Sequence, residues 1–174
     1  MGIVSLEELQ SLRPGWRYES WRLVLTNGVF DLLHSGHVSY LEQARLLGEV
    51  LVVGLNSDAS TRHIKGPLRP LLPEQERATV VAALRCVDYV TVFGQPTAEA
   101  LVEALRPDVY VKGGDYAVAA DQAASAPPLP DADRLPEARV VRAYGGQVVL
   151  LPYREGHSTT ALIRQIVRRF GHGS

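Results

Sequence analysis

The 174-residue chain has a single cysteine, Cys86, which excludes an internal disulfide framework and fits a reducing compartment. That cysteine lies in "LRCVDYVTVF", among apolar neighbours, and reads as a small core residue. No apolar run approaches the roughly 20 residues a membrane-spanning helix needs. The opening "MGIVSLEELQSLRPGW" lacks both the basic segment and the apolar core of a signal peptide. A net charge of −1 provides no general field to draw the chain to nucleic acid or to an anionic membrane. Internal repeats are absent, as are a GxxxxGK[ST] loop, a GxGxxG fingerprint and a GxSxG elbow. What these absences leave is a cytoplasmic globular protein with neither nucleic acid nor membrane as partner. With 46% hydrophobic and 21% charged residues, the chain can bury one full-sized core.

Five short runs rich in β-branched residues stand out: "RLVLT" (22–26), "VLVVGLN" (50–56), "VDYVTVF" (87–93), "DVYVK" (108–112) and "QVVLLPY" (147–153). They are continuously apolar rather than alternating, the pattern of strands covered on both faces. Helical patterns fall between them. "HVSYLEQARLLG" places Val38, Leu41, Ala44 and Leu47 at helical spacing with Gly48 as a stop. "PEQERATVVAALR" starts with proline and acids, "TAEALVEALRP" runs from a threonine cap to a proline, "PEARVVRAYGG" ends in glycines, and "STTALIRQIVRRF" opens on serine. Alternating strands and helices predict an α/β fold, Rossmann-like and three-layered, with a five-stranded parallel sheet. Residues 1–20 read as a leading helix and linker, and residues 21–170 as the main domain. An Ala/Pro-rich insertion at about 117–136 interrupts it and reads as a long surface loop.

In open parallel sheets, ligands bind beyond the carboxyl ends of the strands, where the strand order reverses. Four of the five strands end in polar or glycine-rich stretches: "TNGVFDLLHSGH", "NSDAS", "KGGDY" and "REGHSTT". His34 and His37 stand three residues apart at a helix start, flanking Gly36, so their donors and the helix dipole suit phosphate oxygens. "IKGPLRPLLPEQER" offers Lys65, Arg69 and Arg77 either as solvated loop residues or as cations closing over a polyphosphate. Lys112, Gly114 and Asp115 mark a ligand-facing loop, and Ser158 and Thr159 open a second helix at the same edge. No cysteine or close histidine cluster completes a protein-built metal site.

The "GVFDLLHSGH" ending, with its HxGH signature, and the "STT" helix start resemble the nucleotidyltransferases of the cytidylyltransferase-like superfamily. Within it, "VVGLNSDASTRHIKG", "RPDVYVKGGDY" and "YGGQVVLLPYREGHSTTALI" are similar to the D-glycero-β-D-manno-heptose 1-phosphate adenylyltransferases of ADP-heptose synthesis. The resemblance spans roughly residues 20–168 and implies the nucleotidyltransferase fold. It implies transfer of AMP from ATP to a sugar 1-phosphate, with Mg²⁺ held mainly by the nucleotide phosphates. By that pattern His34, His37 and Lys65 are catalytic. Asn27, Gly28, Phe30, Ser158 and Thr159 join them in nucleotide binding, and Asp31, Arg69, Arg77, Lys112, Gly114 and Asp115 face the substrate. The resemblance further implies a homo-oligomer, a dimer, standing alone and acting after a separate sugar kinase. Another sugar- or polyol-phosphate nucleotidyltransferase, such as a glycerol-3-phosphate cytidylyltransferase, and a non-catalytic nucleotide-binding module are the alternatives.

Overall fold

Each apolar run becomes a strand because helices cover both of its faces. The computed structural model describes residues 2–114, 135–152 and 159–171. Its elements are β1 (Gly2–Ile3), α1 (Leu6–Tyr18), β2 (Leu23–Gly28), α2 (Ser35–Arg45), β3 (Val50–Asn56), α3 (Asp58–Lys65) and α4 (Glu74–Ala82). They continue with β4 (Tyr89–Phe93), α5 (Glu99–Leu105), β5 (Val109–Gly114), α6 (Pro136–Ala143), β6 (Gln147–Pro152) and α7 (Thr159–Phe170). All pairings are parallel, in the order β1-β4-β3-β2-β5-β6. Among the described residues no helix is long and apolar enough to cross a membrane.

The sheet therefore has six strands where the sequence predicts five. β1 is a two-residue edge strand, paired Gly2 to Tyr89 and Ile3 to Val90, and is too short to carry a periodicity. Nor do the first 20 residues taper into a linker. Ser5 caps α1 in a reciprocal box with Glu8, and the helix runs on to Tyr18, burying Leu9, Arg13 and Trp16. Arg13 donates to the carbonyls of Leu105 and Arg106 and pairs with Asp108 at 2.9 Å, fastening α1 to the C-terminal end of α5. Helix α3 is also absent from the sequence reading. Its polar stretch "DASTRHIK" has little apolar periodicity, although Ser57 caps it through Ser60 N.

Alternation along the strands divides the interior into two layers. Val24, Val53 and Val111 pack with Tyr40 and Leu41 of α2 and with Ala78 and Val81 of α4. Leu25, Val52 and Tyr110 face the other way, against Leu9 of α1, Leu101 of α5 and Val141 of α6. From β2 the chain steps outward through β3 to β4, then returns to lay β5 on the opposite side of β2. The order reverses between β2 and β5, and that junction is where a ligand crevice opens. Gly28, at the end of β2, sits on it.

Because Leu9 is fully buried, Leu9→Ala should destabilise the domain by about 2–5 kcal/mol in urea unfolding. A change within the range of ordinary surface substitutions would show that α1 is not part of the core.

Candidate active site

The chain leaves β2 over a loop that is pinned from two directions. Arg77, 1% exposed, donates to Val29 O at 2.6 Å and to Leu72 O at 2.9 Å, and pairs with Asp58 at 2.7 Å. Asp31, 3% exposed, accepts from Arg69 Nε at 2.6 Å and from the backbone amides of Leu71 and Leu72. Between these anchors Phe30 adopts a left-handed backbone (φ 47°), a conformation costly for a side-chain-bearing residue and concentrated at functional sites. Its buried ring lies over Gly28, where a Cβ would come within 2.9 Å of the ring edge. Glycine is needed there for Phe30 to pack.

The Phe30 ring in turn borders His37, with centroids 5.4 Å apart. His37 stacks on His34 at 3.8 Å with an interplanar angle of 24°. His34 is the N-cap of α2, and its carbonyl accepts from His37 N, so the two imidazoles share the first turn of the helix. The helix itself is held by Tyr40, whose hydroxyl bonds Thr26 Oγ1 at 2.6 Å and Val111 O at 3.2 Å, directly beneath the β2–β5 junction. Burial first, and the neighbouring His34 second, push the His37 imidazole down from its ordinary 6.5 to about 4. His37 is therefore neutral near pH 7, and its Nδ1 is buried without a hydrogen-bond partner among the described residues. A helix N-terminus and imidazole donors both have the chemistry that suits an anion. An anion bound there would raise the His37 pKa again.

A cleft of about 470 Å³ opens over this turn. It is bordered by Asn27, Gly28, Phe30, Asp31, His34 and His37 after β2, by Lys65 and Arg69, and by Lys112, Glu137 and Thr159. Most of the residues read from sequence thus converge. Lys65 is exposed and ends α3 rather than riding on the loop, which begins at Gly66 (φ 94°). Thr159 opens α7 and donates to Leu32 O at 3.5 Å, bringing a second helix start to the histidines. Arg77 is a correction: it is buried with its donors committed to Val29, Leu72 and Asp58, and it anchors structure instead of facing the cleft. Asp31 likewise organises the loop at residues 69–72. Gly114 ends β5, while Asp115, Ser158 and residues 117–134 of the insertion lie outside the described residues.

Two participants went unread in the sequence. Tyr110 and Glu137 join Asn27 and Lys112 in a polar group on the α5–α6 side of the cleft. Asn27 Oδ1 accepts from Tyr110 OH at 2.6 Å and from Lys112 Nζ at 3.0 Å. Burial pushes the Tyr110 phenol well above its ordinary value, helped by the Glu137 carboxylate beside it. Burial also lowers the Lys112 ammonium, with Glu137 opposing the shift. Tyr110 hid inside an apolar strand run, and Glu137 looks like any acid in a first helical turn. Among the described residues no group of three His, Cys, Asp or Glu is placed to hold a metal ion.

The depressed His37 pKa has a consequence for stability. Between pH 6.5 and about 4 the unfolded chain binds a proton at this residue that the folded chain refuses, so stability falls as pH drops through that window. His37→Gln should flatten that part of the wild-type curve in urea titrations. Parallel curves for the two proteins would contradict the assigned shift.

The cytidylyltransferase-like family model matches residues 25–165. Among curated relatives, a protein named bifunctional protein HldE from Syntrophotalea carbinolica is 47% identical, matching 96% of this chain and 31% of its own length. The HldE of Koribacter versatilis is 48% identical over 94% of this chain and 31% of the relative. This chain thus spans about a third of the length of the curated relatives it matches. A crystal structure titled the lipopolysaccharide core biosynthesis protein from Thermoplasma volcanium GSS1 aligns at TM-score 0.56 and 26% identity, covering 79% of this chain and 99% of that one. Pantoate-beta-alanine ligase from Francisella tularensis aligns at TM-score 0.58 over 100% of this chain and 80% of its own; at 12% identity it shares the fold alone. A family match over residues 25–165, a range that includes the strand-end cleft and its paired imidazoles, gives the identification: the chain belongs to the cytidylyltransferase-like family and is a nucleotidyltransferase.

Proposed function

We propose that the protein transfers AMP from ATP to a sugar 1-phosphate, D-glycero-β-D-manno-heptose 1-phosphate, giving ADP-heptose and pyrophosphate. The observation that carries the reaction type is the stacked His34–His37 pair on the first turn of α2, facing the start of α7 across the cleft. Support for the sugar comes from the "VKGGDY" and "EGHSTT" motifs and from relatives named bifunctional protein HldE. In this reading the chain corresponds to the adenylyltransferase part of such a protein and receives its substrate from a sugar kinase. Its working form is a homodimer in the cytoplasm.

The acceptor's phosphate oxygen attacks the α-phosphorus of ATP, forming one P–O bond as the bond to the pyrophosphate oxygen breaks. Such a transfer needs position and charge stabilisation more than covalent help. His34 and His37 would donate to the triphosphate and stabilise the charge that accumulates as pyrophosphate leaves. Lys65 would close from the end of α3, and Ser158 and Thr159 would hold phosphate at the start of α7. Gly28 makes room for the Phe30 ring, which would wall the nucleotide pocket at the switch point. Among the described residues the two carboxylates bordering the cleft are already engaged, Asp31 with Arg69 and two amides, Glu137 with Ala98 N. These residues therefore suit Mg²⁺ that arrives on the nucleotide phosphates and is held chiefly by them and by water.

In a matrix of nucleotides against phosphorylated acceptors, ATP with the heptose 1-phosphate should release pyrophosphate with the highest kcat/KM. CTP with glycerol 3-phosphate outperforming that pair would assign the protein to the cytidylyltransferase alternative; ATP binding without pyrophosphate from any acceptor would make it a non-catalytic module. Within the active pair, His37→Ala should lower kcat by about 10²–10³, the usual effect of losing a preorganised donor to developing charge. Lys65→Ala should lose activity at unchanged Tm, because the side chain is exposed; a fall in Tm would give Lys65 a structural role instead.

A further inference from the structure

The two halves of the cleft differ in chemistry. On the α2 side stand helix starts, imidazoles and Lys65, all suited to anions. On the α5–α6 side stands a carboxylate. Glu137 is 3% exposed yet borders the cleft, and its Oε1 accepts from Ala98 N at 3.0 Å at the start of α5. A carboxylate there accepts hydrogen bonds and donates none, so the position it faces suits hydroxyl groups, while anionic groups fall to the neighbouring donors.

The strand ends between the two helical layers supply donors. Lys112 Nζ reaches Asn27 Oδ1 at 3.0 Å and the Tyr110 hydroxyl at 3.4 Å. With Tyr110 and Lys112 both donating to its oxygen, the Asn27 amide turns its two N–H donors away from them, and these have no partner among the described residues. Carboxylate, ammonium and amide on one wall match a molecule that both donates and accepts hydrogen bonds: a polyol carrying a phosphate. We infer that Glu137 is a specificity-determining residue for the acceptor, receiving sugar hydroxyls on its carboxylate while Lys112 and the Asn27 amide hold the acceptor's phosphate. This rests on the sugar 1-phosphate reading above and names the residue that selects the sugar.

The test is Glu137→Gln in the intact chain. Glutamine keeps an oxygen for Ala98 N, so the α5 start is preserved while the charged acceptor is lost. The inference expects a KM for the sugar 1-phosphate raised about tenfold or more, the usual scale for a hydrogen bond to a charged group, with the KM for ATP and the Tm unchanged. A parallel rise in the KM for ATP, or an unchanged KM for the sugar, overturns it. If Glu137→Gln unfolds, Glu137→Asp, which keeps the charge but withdraws it by one methylene, should show the same split. If wild-type protein turns over no acceptor, the proposed reaction fails. Calorimetric titration of the heptose 1-phosphate in the presence of a non-hydrolysable ATP analogue then decides this inference alone. Saturable binding lost in the variant supports it, and no binding to the wild type overturns it.

Discussion

The stack of His34 on His37 at the first turn of α2 is the interaction on which the rest of the site depends. Burial, with His34 beside it, holds the His37 imidazole in the neutral state, so that side chain carries no fixed charge in the free protein. Keeping the two rings there takes support from far along the sequence. Tyr40 ties α2 to β2 and β5, Arg77 grips the carbonyl of Val29, and Asp31 gathers the amides of Leu71 and Leu72. The strained Phe30 is the link between that scaffold and the histidines. Its ring rests on Gly28 and borders His37, so the end of β2 is converted into a fixed wall for the imidazoles.

The parallel sheet gives this arrangement its second half. Because side chains alternate along a strand, consecutive residues at the β2 terminus serve opposite sides: Asn27 points with Leu25 toward α5 and α6, while Thr26 bonds to Tyr40 of α2. The same holds for Tyr110 and Lys112 against Val111 on β5. A ligand across the junction would therefore meet a side of imidazoles and helix starts and a mixed polar side within one cleft. Transfer between two substrates needs such a division, one partner on each side and the reacting atoms at the strand ends.

What the sequence made legible follows from how local each signal is. The buried strands announce themselves through uninterrupted Val and Leu, and the histidine pair through its spacing at a helix start. Helix α3 did not, since its stability comes from the Ser57 cap and from Thr61 and Ser60 buried against β3 rather than from an apolar stripe. β1 is a pairing of two residues with a distant strand and has no local signature. Arg77 and Arg69 are alike as letters, and only tertiary structure separates a guanidinium buried among Val29, Leu72 and Asp58 from one at the edge of the cleft. Glu137 is the sharpest case. Its burial depends on α6 meeting the start of α5, a contact between segments joined through the long insertion.

The central claim is that the His37 imidazole is held neutral in the free protein and becomes charged against bound polyphosphate. The most direct measurement is an NMR titration of the His37 imidazole, with and without a non-hydrolysable ATP analogue. The account predicts a midpoint near 4 in the free protein and a shift toward or above the ordinary 6.5 when nucleotide is bound. A free-protein midpoint near 6.5, or the same midpoint in both states, would contradict it.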